Sequence, residues 1–304
     1  MSDSVRIVEV GPRDGLQNEK ATVGVADRIA FVEALVAAGL PTVEVGAFVS
    51  PKAIPQMVSS DAVLRGVKHL SDSEFHVLVP NLKGYEAAHA AGANVVAVFA
   101  SASEGFSRAN INCSVAESIE RFKPVVARAR ADGVRVRGYI SCVLGCPFDG
   151  EVRPQAVVDV AKQLWDLGCY EISLGDTIGV GTPLKARYLL RAVACDVPIA
   201  RLAMHFHDTY GQALANLYAG MEEGARVIDA AAGGLGGCPY APGATGNLAT
   251  EDVVYMLEGM GIATGVDMAK LVAASNAIGS LIGRSAVSRV AAAINAKRQM
   301  ASSE

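Results

Sequence analysis

Eight short β-rich runs recur along the chain, and a segment with helical periodicity follows each of them. Regular alternation of strands and helices predicts parallel strands joined by crossover helices. Eight such units are what a closed (β/α)8 TIM barrel requires, which makes this α/β architecture the predicted fold class. The strand candidates are residues 6–10, 42–48, 74–79, 95–99, 134–140, 170–174, 202–207 and 226–231.

The helix candidates lie near residues 25–38, 55–69, 83–91, 115–131, 154–167, 183–194, 211–223 and 249–259. Several are followed by a glycine that predicts a left-handed C-cap, namely Gly39, Gly92, Gly133, Gly168 and Gly224. An open doubly wound sheet is the competing architecture, but no Gly-x-Gly-x-x-Gly opens the first helix. We predict one barrel domain over residues 1–304, with residues 266–297 as a C-terminal helical extension.

Composition excludes several classes of function. The net charge is −4, without blocks of like charge, which argues against a nucleic-acid partner. The longest apolar run, residues 271–283, is too short to cross a membrane. The first six residues lead directly into a strand pattern, so we predict a cytoplasmic protein. Six dispersed cysteines do not indicate a disulfide framework, and Cys142 and Cys146 lack the second pair of a zinc ribbon.

Active sites of such barrels lie where the strands end at their carboxyl side. The first strand leads into Arg13 and Asp14, and the sixth into Asp176 and Thr177. An adjacent arginine and aspartate are by themselves more typical of a surface turn. Glu44 interrupts the apolar second strand, where it points either into the barrel or toward the helices and requires a partner.

The seventh strand ends with His205 and His207, whose side chains lie on the same side of the strand. Two histidines at a barrel mouth form half of a metal site, which nearby carboxylates could complete. The alternative is one buried and one exposed histidine. Mixed nitrogen and oxygen ligands suit Mg²⁺ or Mn²⁺, with Zn²⁺ or Co²⁺ as further options.

A glycine-rich segment follows the eighth strand, from Gly233 to Asn247, with six glycines, two prolines and Cys238. Ordering so many glycines is costly, so the segment is either a catalytic lid that carries a thiol or a flexible surface connection. If Cys238 binds the metal, zinc is expected; otherwise the thiol is available for proton transfer. The residues alone suggest Asn247 as a helix cap.

Taken together, several long segments resemble the 3-hydroxy-3-methylglutaryl-CoA lyases of the DRE-TIM metallolyase superfamily. The resemblance spans nearly the whole chain, and only the last forty or so residues look generic. The matching runs are VEVGPRDGLQNEK (8–20), FVSPK (48–52), PQM (55–57), PNLKG (80–84), NINCS (110–114), RGYISCVLGCP (137–147), GCYEISLGDTIGVGTP (168–183), HFHDTYGQALAN (205–216) and GLGGCPYAPGATGNLATEDVVYMLEG (234–259).

The resemblance implies a role for each site residue. The metal ligands it implies are Asp14, His205, His207 and Asn247. It implies that Arg13 stabilises a thioester enolate and that Cys238 is a general acid or base. The further residues it places in the site are Glu44 and Asp176, which order it, and Gln17 and Thr177, which bind substrate together with Arg13.

The implied reaction is cleavage of 3-hydroxy-3-methylglutaryl-CoA into acetyl-CoA and acetoacetate, a step of leucine catabolism. Asp14, Asp176 or a histidine is the candidate base for the hydroxyl proton. Residues 52–55 read Lys-Ala-Ile-Pro where the family often has an aromatic residue, so a wider pocket and longer 3-alkyl substrates, such as the isohexenyl analogue, are an alternative. The likeness also implies a homodimer.

Two other functions are less well supported by the sequence. A synthase that condenses acetyl-CoA with a 2-oxo acid shares the Arg-Asp and His-x-His elements, but it lacks the cysteine loop around Cys238. A metal-binding or scaffolding barrel that has lost catalysis is disfavoured because Arg13, Asp14, both histidines and Cys238 are all retained.

Overall fold

Eight parallel strands close into a barrel in which each strand pairs with the next in sequence and β8 pairs with β1. The structure, a computed structural model, describes residues 4–237 and 246–301. The (β/α)8 prediction is confirmed, and each predicted strand is present within two residues of its expected bounds. The strands are β1 Arg6–Glu9, β2 Thr42–Ala47, β3 Glu74–Leu78, β4 Val95–Ser101, β5 Arg135–Ser141, β6 Glu171–Asp176, β7 Leu202–Phe206 and β8 Val227–Ala230.

Helices follow the strands around the outside of the barrel. The helices between β1 and β8 are α1 Val25–Ala37, α2 Ser60–Val67, α3 Leu82–Ala90, α4 Glu104–Ile111, α5 Val115–Ala131, α6 Pro154–Leu167, α7 Pro183–Val193 and α8 Ala213–Glu222. The helices after β8 are α9 Thr250–Gly259, α10 Met268–Ile282 and α11 Arg289–Ala301. The five glycines predicted as left-handed caps all have positive φ, between 71° and 112°. The last two helices are the additional C-terminal helices that the sequence predicts.

Two helical details differ from the prediction. The helix expected over 55–69 is divided into a 3₁₀ turn, Pro55–Met57, and α2, because Ser59 adopts a left-handed conformation with φ of 60°. Helix α4 was not predicted, since its short polar sequence has little apolar periodicity. Its start is fixed locally, because the side chain of Ser103 accepts a hydrogen bond from the backbone of Phe106.

Apolar side chains fill the layer between the strands and the surrounding helices, which forms the main core. Some residues that face the barrel interior are charged instead. Glu44, Arg137, Glu171 and Asp229 are all buried. A buried charge requires an ionic or hydrogen-bonding partner, so the strand interior forms a polar column below the carboxyl ends of the strands.

The C-terminal helices pack against the barrel near the end of β8. Helix α10 contacts α1 and the short 3₁₀ turn Ala232–Gly234, and α11 contacts α9. Among residues 4–237 and 246–301, no helix has both the length and the apolar character needed to cross a membrane.

Candidate active site

The loop after β1 brings Arg13 and Asp14 to the mouth of the barrel. Residues Gly11–Gly15 form a single π-helical turn. A Cβ atom at Gly11 would lie 2.5 Å from Oε1 of Glu9, and one at Gly15 would lie 2.7 Å from Cβ of Leu235. A side chain at position 15 would collide with Leu235, and one at position 11 would displace the Glu9 carboxylate, so both ends of this turn favour glycine.

The two histidines converge beside Asp14. The rings of His205 and His207 are 5.4 Å apart, and both residues are buried, at 7% and 5% exposure. The alternative of one buried and one exposed histidine is therefore wrong. One ligand atom from each histidine and one from Asp14 lie within 4.8 Å of one another. In the described part of the chain, this is the group of His, Cys, Asp and Glu side chains that could hold a metal ion.

Asn247 contacts the same group of residues through both its backbone and its side chain. It pairs with His207 in an isolated antiparallel bridge, and its Nδ2 donates a hydrogen bond of 2.8 Å to Oδ2 of Asp14. The interpretation of Asn247 as a helix cap is wrong, because α9 begins at Thr250 with Ala249 as its N-cap. The chain stays extended before α9, since Ala249 still pairs with Ala231 after the end of β8.

Glu44 points into the barrel, where it holds Arg13. Nε of Arg13 donates to Oε2 of Glu44 at 2.7 Å, and Nη1 donates to Oδ1 of Asp14 at 2.7 Å. The hydroxyl of Tyr139 lies 3.4 Å from the same Glu44 oxygen, and the Arg13 guanidinium lies over the Tyr139 ring. Arg13 is thus a buried cation fixed by two carboxylates.

Asp229 supports His205 from inside the barrel, and sequence reasoning missed it. Its Oδ2 lies 3.2 Å from Nδ1 of His205 and accepts a hydrogen bond of 2.8 Å from Ser173. Arg137 binds both of its oxygens, at 2.7 and 2.9 Å. Arg137 also donates to Glu171 at 2.7 Å. The available signal was the presence of charged residues in the apolar strands β5 and β8, where burial requires each charge to find a partner.

Electrostatic effects keep Asp14 ionised and His207 neutral. Burial alone would raise the pKa of Asp14, but the Arg13 guanidinium, the two neighbouring histidines and the Asn247 hydrogen bond outweigh it and lower the pKa to about 2. Burial, reinforced by His205, lowers the pKa of His207 to about 4. An ionised carboxylate and a neutral imidazole are the protonation states that bind a metal ion.

Asp176 and Thr177 lie on opposite sides of the strand end. The side chain of Asp176 accepts hydrogen bonds from the backbone of Val180 and Gly181, at 3.2 and 2.8 Å, and it does not line the cavity at the barrel mouth. Burial raises the pKa of Asp176 to about 6 despite these hydrogen bonds. Of the two roles suggested for Asp176, this geometry favours ordering of the site over proton transfer, because strand alternation directs its side chain away from the interior.

A cavity of about 640 Å³ opens at the mouth of the barrel and contains the predicted substrate-binding residues. The polar residues that line it include Arg13, Asp14, Gln17, Thr177, His205 and His207. Its apolar wall includes Val49, Ala53, Ile54, Leu78, Phe99, Phe106, Ile111 and Ile140. Sequence reasoning missed the contribution of α4, which places Asn110 and Ile111 on the cavity. Cys238 lies outside the described residues, and Gly237 just before it lines the cavity.

Comparison with known proteins decides the family. The model of the HMGL-like family matches residues 4–278. The chain belongs to the HMGL-like family. A Pseudomonas aeruginosa relative of this HMGL-like chain, named 3-hydroxy-3-isohexenylglutaryl-CoA/hydroxy-methylglutaryl-CoA lyase, is 59% identical over 293 residues, which cover 96% of this chain and 98% of the relative.

Solved structures of HMG-CoA lyases have the same fold as this HMGL-like chain. The hydroxymethylglutaryl-CoA lyase of Pseudomonas aeruginosa superimposes with a TM-score of 0.95 at 58% identity, covering 98% of this chain and 99% of that chain. An HMG-CoA lyase of Acinetobacter baumannii, solved in complex with coenzyme A and 3-methylmalate, has a TM-score of 0.92 at 37% identity, with 96% of each chain covered. The resemblance found in the sequence is confirmed.

The residues of the HMGL-like site fit a divalent cation. Asp14 supplies carboxylate oxygens and the two histidines supply ring nitrogens, whereas no described cysteine joins the group. Nδ1 of His207 is buried without a hydrogen-bond partner. A buried polar atom without a partner is costly, and a bound ion is one way to remove that cost. The donor set of nitrogen and oxygen atoms suits Mg²⁺, Mn²⁺, Zn²⁺ or Co²⁺.

Proposed function

We propose that this protein is a divalent-metal-dependent carbon–carbon lyase that cleaves 3-hydroxy-3-methylglutaryl-CoA into acetyl-CoA and acetoacetate. The observation that carries the proposal is the convergence of Asp14, His205 and His207 on a cavity that is large enough for an acyl chain. The relatives named as lyases of this substrate support it.

The proposed cation site consists of Asp14, His205, His207 and Asn247, with Mg²⁺ or Mn²⁺ as the preferred ion. When bound, the cation would polarise substrate oxygens and make the tertiary hydroxyl more acidic. For Asn247 to be a ligand, its side-chain oxygen must face the site. Its Nδ2 donates to Asp14 and, at 3.2 Å, to the carbonyl of Leu235, so the amide already lies beside the carboxylate.

Arg13 is proposed to stabilise the enolate that forms when the carbon–carbon bond breaks. The guanidinium lines the cavity, and its bonds to Glu44 and Asp14 fix its orientation before substrate arrives. Burial acts to lower the pKa of Arg13, but the charges of Glu44 and Asp14 prevail and raise it, so the cation persists throughout catalysis. A preorganised cation of this kind stabilises developing negative charge without reorganisation.

Proton transfer requires one group that takes the hydroxyl proton and one that protonates the enolate carbon. Asp14, His205 and His207 line the cavity, whereas Asp176 does not, so we propose Asp14 or one of the two histidines as the base. We assign Asp176 to ordering the loop after β6 through its bonds to Val180 and Gly181. Cys238 is proposed as the acid for the carbon, since a thiol has a suitable unperturbed pKa near 8.5.

The length of the acyl substituent is the finer question of specificity. Ala53 lines the cavity with Val49 and Ile54, and its small side chain leaves room in the apolar wall. The 59% identical relative is named for both the isohexenyl and the methyl substrate. A lyase that also accepts a longer 3-alkyl-3-hydroxyglutaryl-CoA is therefore the second candidate. Gln17 and Thr177 are proposed to bind the polar part of either substrate.

A product assay tests the reaction and the alternatives together. Purified protein with Mn²⁺ is given 3-hydroxy-3-methylglutaryl-CoA or its isohexenyl analogue, and in parallel acetyl-CoA with 2-oxo acids. The lyase proposal predicts acetyl-CoA and a 3-oxo acid in equal amounts from the first substrate. Condensation of acetyl-CoA with a 2-oxo acid, without cleavage, would support the synthase instead. A homodimer and a cytoplasmic location remain proposals, which light scattering and cell fractionation can test.

A further inference from the structure

The connection between α10 and α11 lies against the segment that follows β8. We propose that Arg284, in this connection, is a positioning residue that holds together the two loops carrying Asp14 and Asn247. This inference rests on the proposed cation site and adds a residue that neither the sequence motifs nor the comparisons assign to it. Arg284 belongs to the C-terminal stretch that looked generic in sequence.

Arg284 makes contacts with both loops. Its Nη2 donates to the carbonyl of Gly234 at 3.2 Å, and its Nη1 donates to the carbonyl of Gly236 at 3.3 Å. The same Nη1 forms an ion pair with Glu19, which follows Asp14 in the loop after β1. The Arg284 and Glu19 side chains are only 25% and 14% exposed, so solvent screens the pair less than a surface ion pair.

The carbonyl between the two Arg284 contacts supports Asn247. Leu235 accepts a hydrogen bond of 3.2 Å from Nδ2 of Asn247, and that same nitrogen donates to Asp14. Three successive carbonyls, Gly234, Leu235 and Gly236, are thus bound by two side chains. A shift of this segment would displace the Asn247 amide from Asp14.

The start of the segment is held by a rigid frame from the C-terminal helices. The backbone of Val287 donates to the carbonyl of Gly233 at 3.0 Å. Glu251 accepts from the backbone of Gly233 at 3.0 Å and binds the hydroxyl of Ser275 on α10. A Cβ at Gly234, where φ is +65°, would lie 2.4 Å from Cγ2 of Val287. The connection that carries Arg284 is therefore held against Gly233 and Gly234 by contacts independent of the Arg284 side chain.

Arginine is suited to this position because its planar fork presents several donors in a fixed geometry, whereas lysine is a single flexible point charge. We expect Arg284→Met to release Glu19 and two carbonyls while leaving the barrel intact. Substitution of a residue that orients metal ligands without binding the metal itself typically weakens metal affinity by about 10- to 100-fold. Arg284→Lys keeps the charge and is expected to fall between wild type and Arg284→Met.

Mn²⁺ affinity, measured by electron paramagnetic resonance, and hydrogen exchange of residues 11–20 and 233–237 test the proposal. Exposed Lys297 on α11 provides the matched control variant, Lys297→Met. We expect about tenfold or greater weakening of Mn²⁺ binding and faster exchange in both loops for Arg284→Met, and neither change for the control. If Arg284→Met does not fold, Glu19→Gln tests the same ion pair and should give a smaller change in the same direction.

The outcomes separate this inference from the function on which it rests. Arg284→Met with wild-type Mn²⁺ affinity overturns the positioning role, even if its melting temperature falls. A wild-type protein that binds no Mn²⁺ overturns the cation site but not the contacts of Arg284 with the two loops. The exchange measurement on metal-free protein still shows whether Arg284 fixes the two loops.

Discussion

Nδ1 of His205 lies 3.2 Å from Oδ2 of Asp229, and this contact determines which ring nitrogen faces Asp14. Burial would raise the pKa of Asp229, but the Arg137 guanidinium and the His205 hydrogen bond outweigh it and hold the pKa well below its usual range. The ionised carboxylate can only accept a hydrogen bond, so Nδ1 carries the proton. Nε2 is the ring nitrogen directed toward Asp14, 3.8 Å from its Oδ2, and it is the atom through which the neutral ring would bind a metal ion.

Asp229→Asn is expected to weaken Mn²⁺ binding about 10- to 100-fold, because the amide no longer fixes the orientation and tautomer of His205. The control is Ser173→Ala, which removes one hydrogen bond to Asp229 but leaves Arg137 and His205 in contact with it. Titration with Mn²⁺ monitored by electron paramagnetic resonance measures both variants. Equal affinity in wild type and Asp229→Asn would show that His205 is oriented without this carboxylate.

Arg13→Gln is expected to lower kcat by about 10²- to 10³-fold with little change in KM, as for the loss of a group that acts only in the transition state. Glu44 would lose its buried partner, so circular dichroism must show that the variant folds. Steady-state kinetics with 3-hydroxy-3-methylglutaryl-CoA provides the measurement. Unchanged turnover would remove Arg13 from the proposed chemistry.

Cys238→Ala is expected to lower kcat by about 10²-fold or more while Mn²⁺ affinity stays at the wild-type level, because the thiol acts as a proton donor and not as a ligand. The matched variant Cys195→Ala changes an exposed cysteine that precedes β7 in the sequence. This variant should keep full activity. Loss of Mn²⁺ binding in Cys238→Ala would instead make the thiol a metal ligand.

Ala53→Trp is expected to reduce cleavage of the isohexenyl substrate at least tenfold more than cleavage of the methyl substrate. The indole would fill part of the apolar wall beside Val49 and Ile54, and a lost hydrophobic fit of this size is worth about 1–3 kcal/mol. The ratio of kcat/KM for the two substrates gives the answer. An equal loss for both substrates would show that the long substituent does not occupy this part of the cavity.

Glu9→Gln is expected to change how stability depends on pH. Burial raises the pKa of Glu9 to about 7, although Thr250 and the backbone of Ala232 and Gly11 bind the carboxylate. Between pH 4.5 and 7 the folded state keeps a proton that the unfolded state releases, so the free energy of unfolding decreases as pH rises through this window.

The raised pKa of Glu9 corresponds to a decrease in the free energy of unfolding on the order of 3 kcal/mol across this window. Glu9→Gln should remove this decrease, because glutamine does not titrate but keeps an oxygen acceptor for the two backbone N–H groups. Urea unfolding at several pH values between 4.5 and 8 measures the slope. A variant with the wild-type slope would show that Glu9 does not hold this proton.

Much of the fold was predictable from the sequence because the barrel depends on a repeated local pattern. Each strand is short, apolar and followed by a helix, and glycines such as Gly168 end helices in the left-handed conformation. Helix α4 lacked that pattern, since its start depends on the Ser103 side chain and its packing on tertiary contacts. The division of the helix expected over 55–69 likewise depends on one backbone conformation, at Ser59.

The sequence predicted those site residues that directly follow a strand, because the active sites of such barrels lie where the strands end. Asp14 follows β1 and the two histidines lie at the end of β7, and only β8 separates these strands in the closed barrel, so strand order brings the three residues near each other. The support provided by Asp229 and by Arg284 required knowledge of which distant side chains meet across the barrel. The orientation of Asp176 could not be predicted, because a residue at a strand end faces either the interior or the helices, and one position decides between them.

The most direct test of cation-dependent cleavage combines metal binding and product formation in one titration. Metal-free protein is mixed with 3-hydroxy-3-methylglutaryl-CoA, and Mn²⁺ is added stepwise while bound ion and acetoacetate are both measured. The proposed mechanism predicts no cleavage without the ion, a rate that rises in proportion to bound Mn²⁺ up to one ion per chain, and loss of both signals in Asp14→Asn. Full cleavage by the metal-free protein in the presence of a chelator, or Mn²⁺ binding that restores no cleavage, would contradict the proposed mechanism.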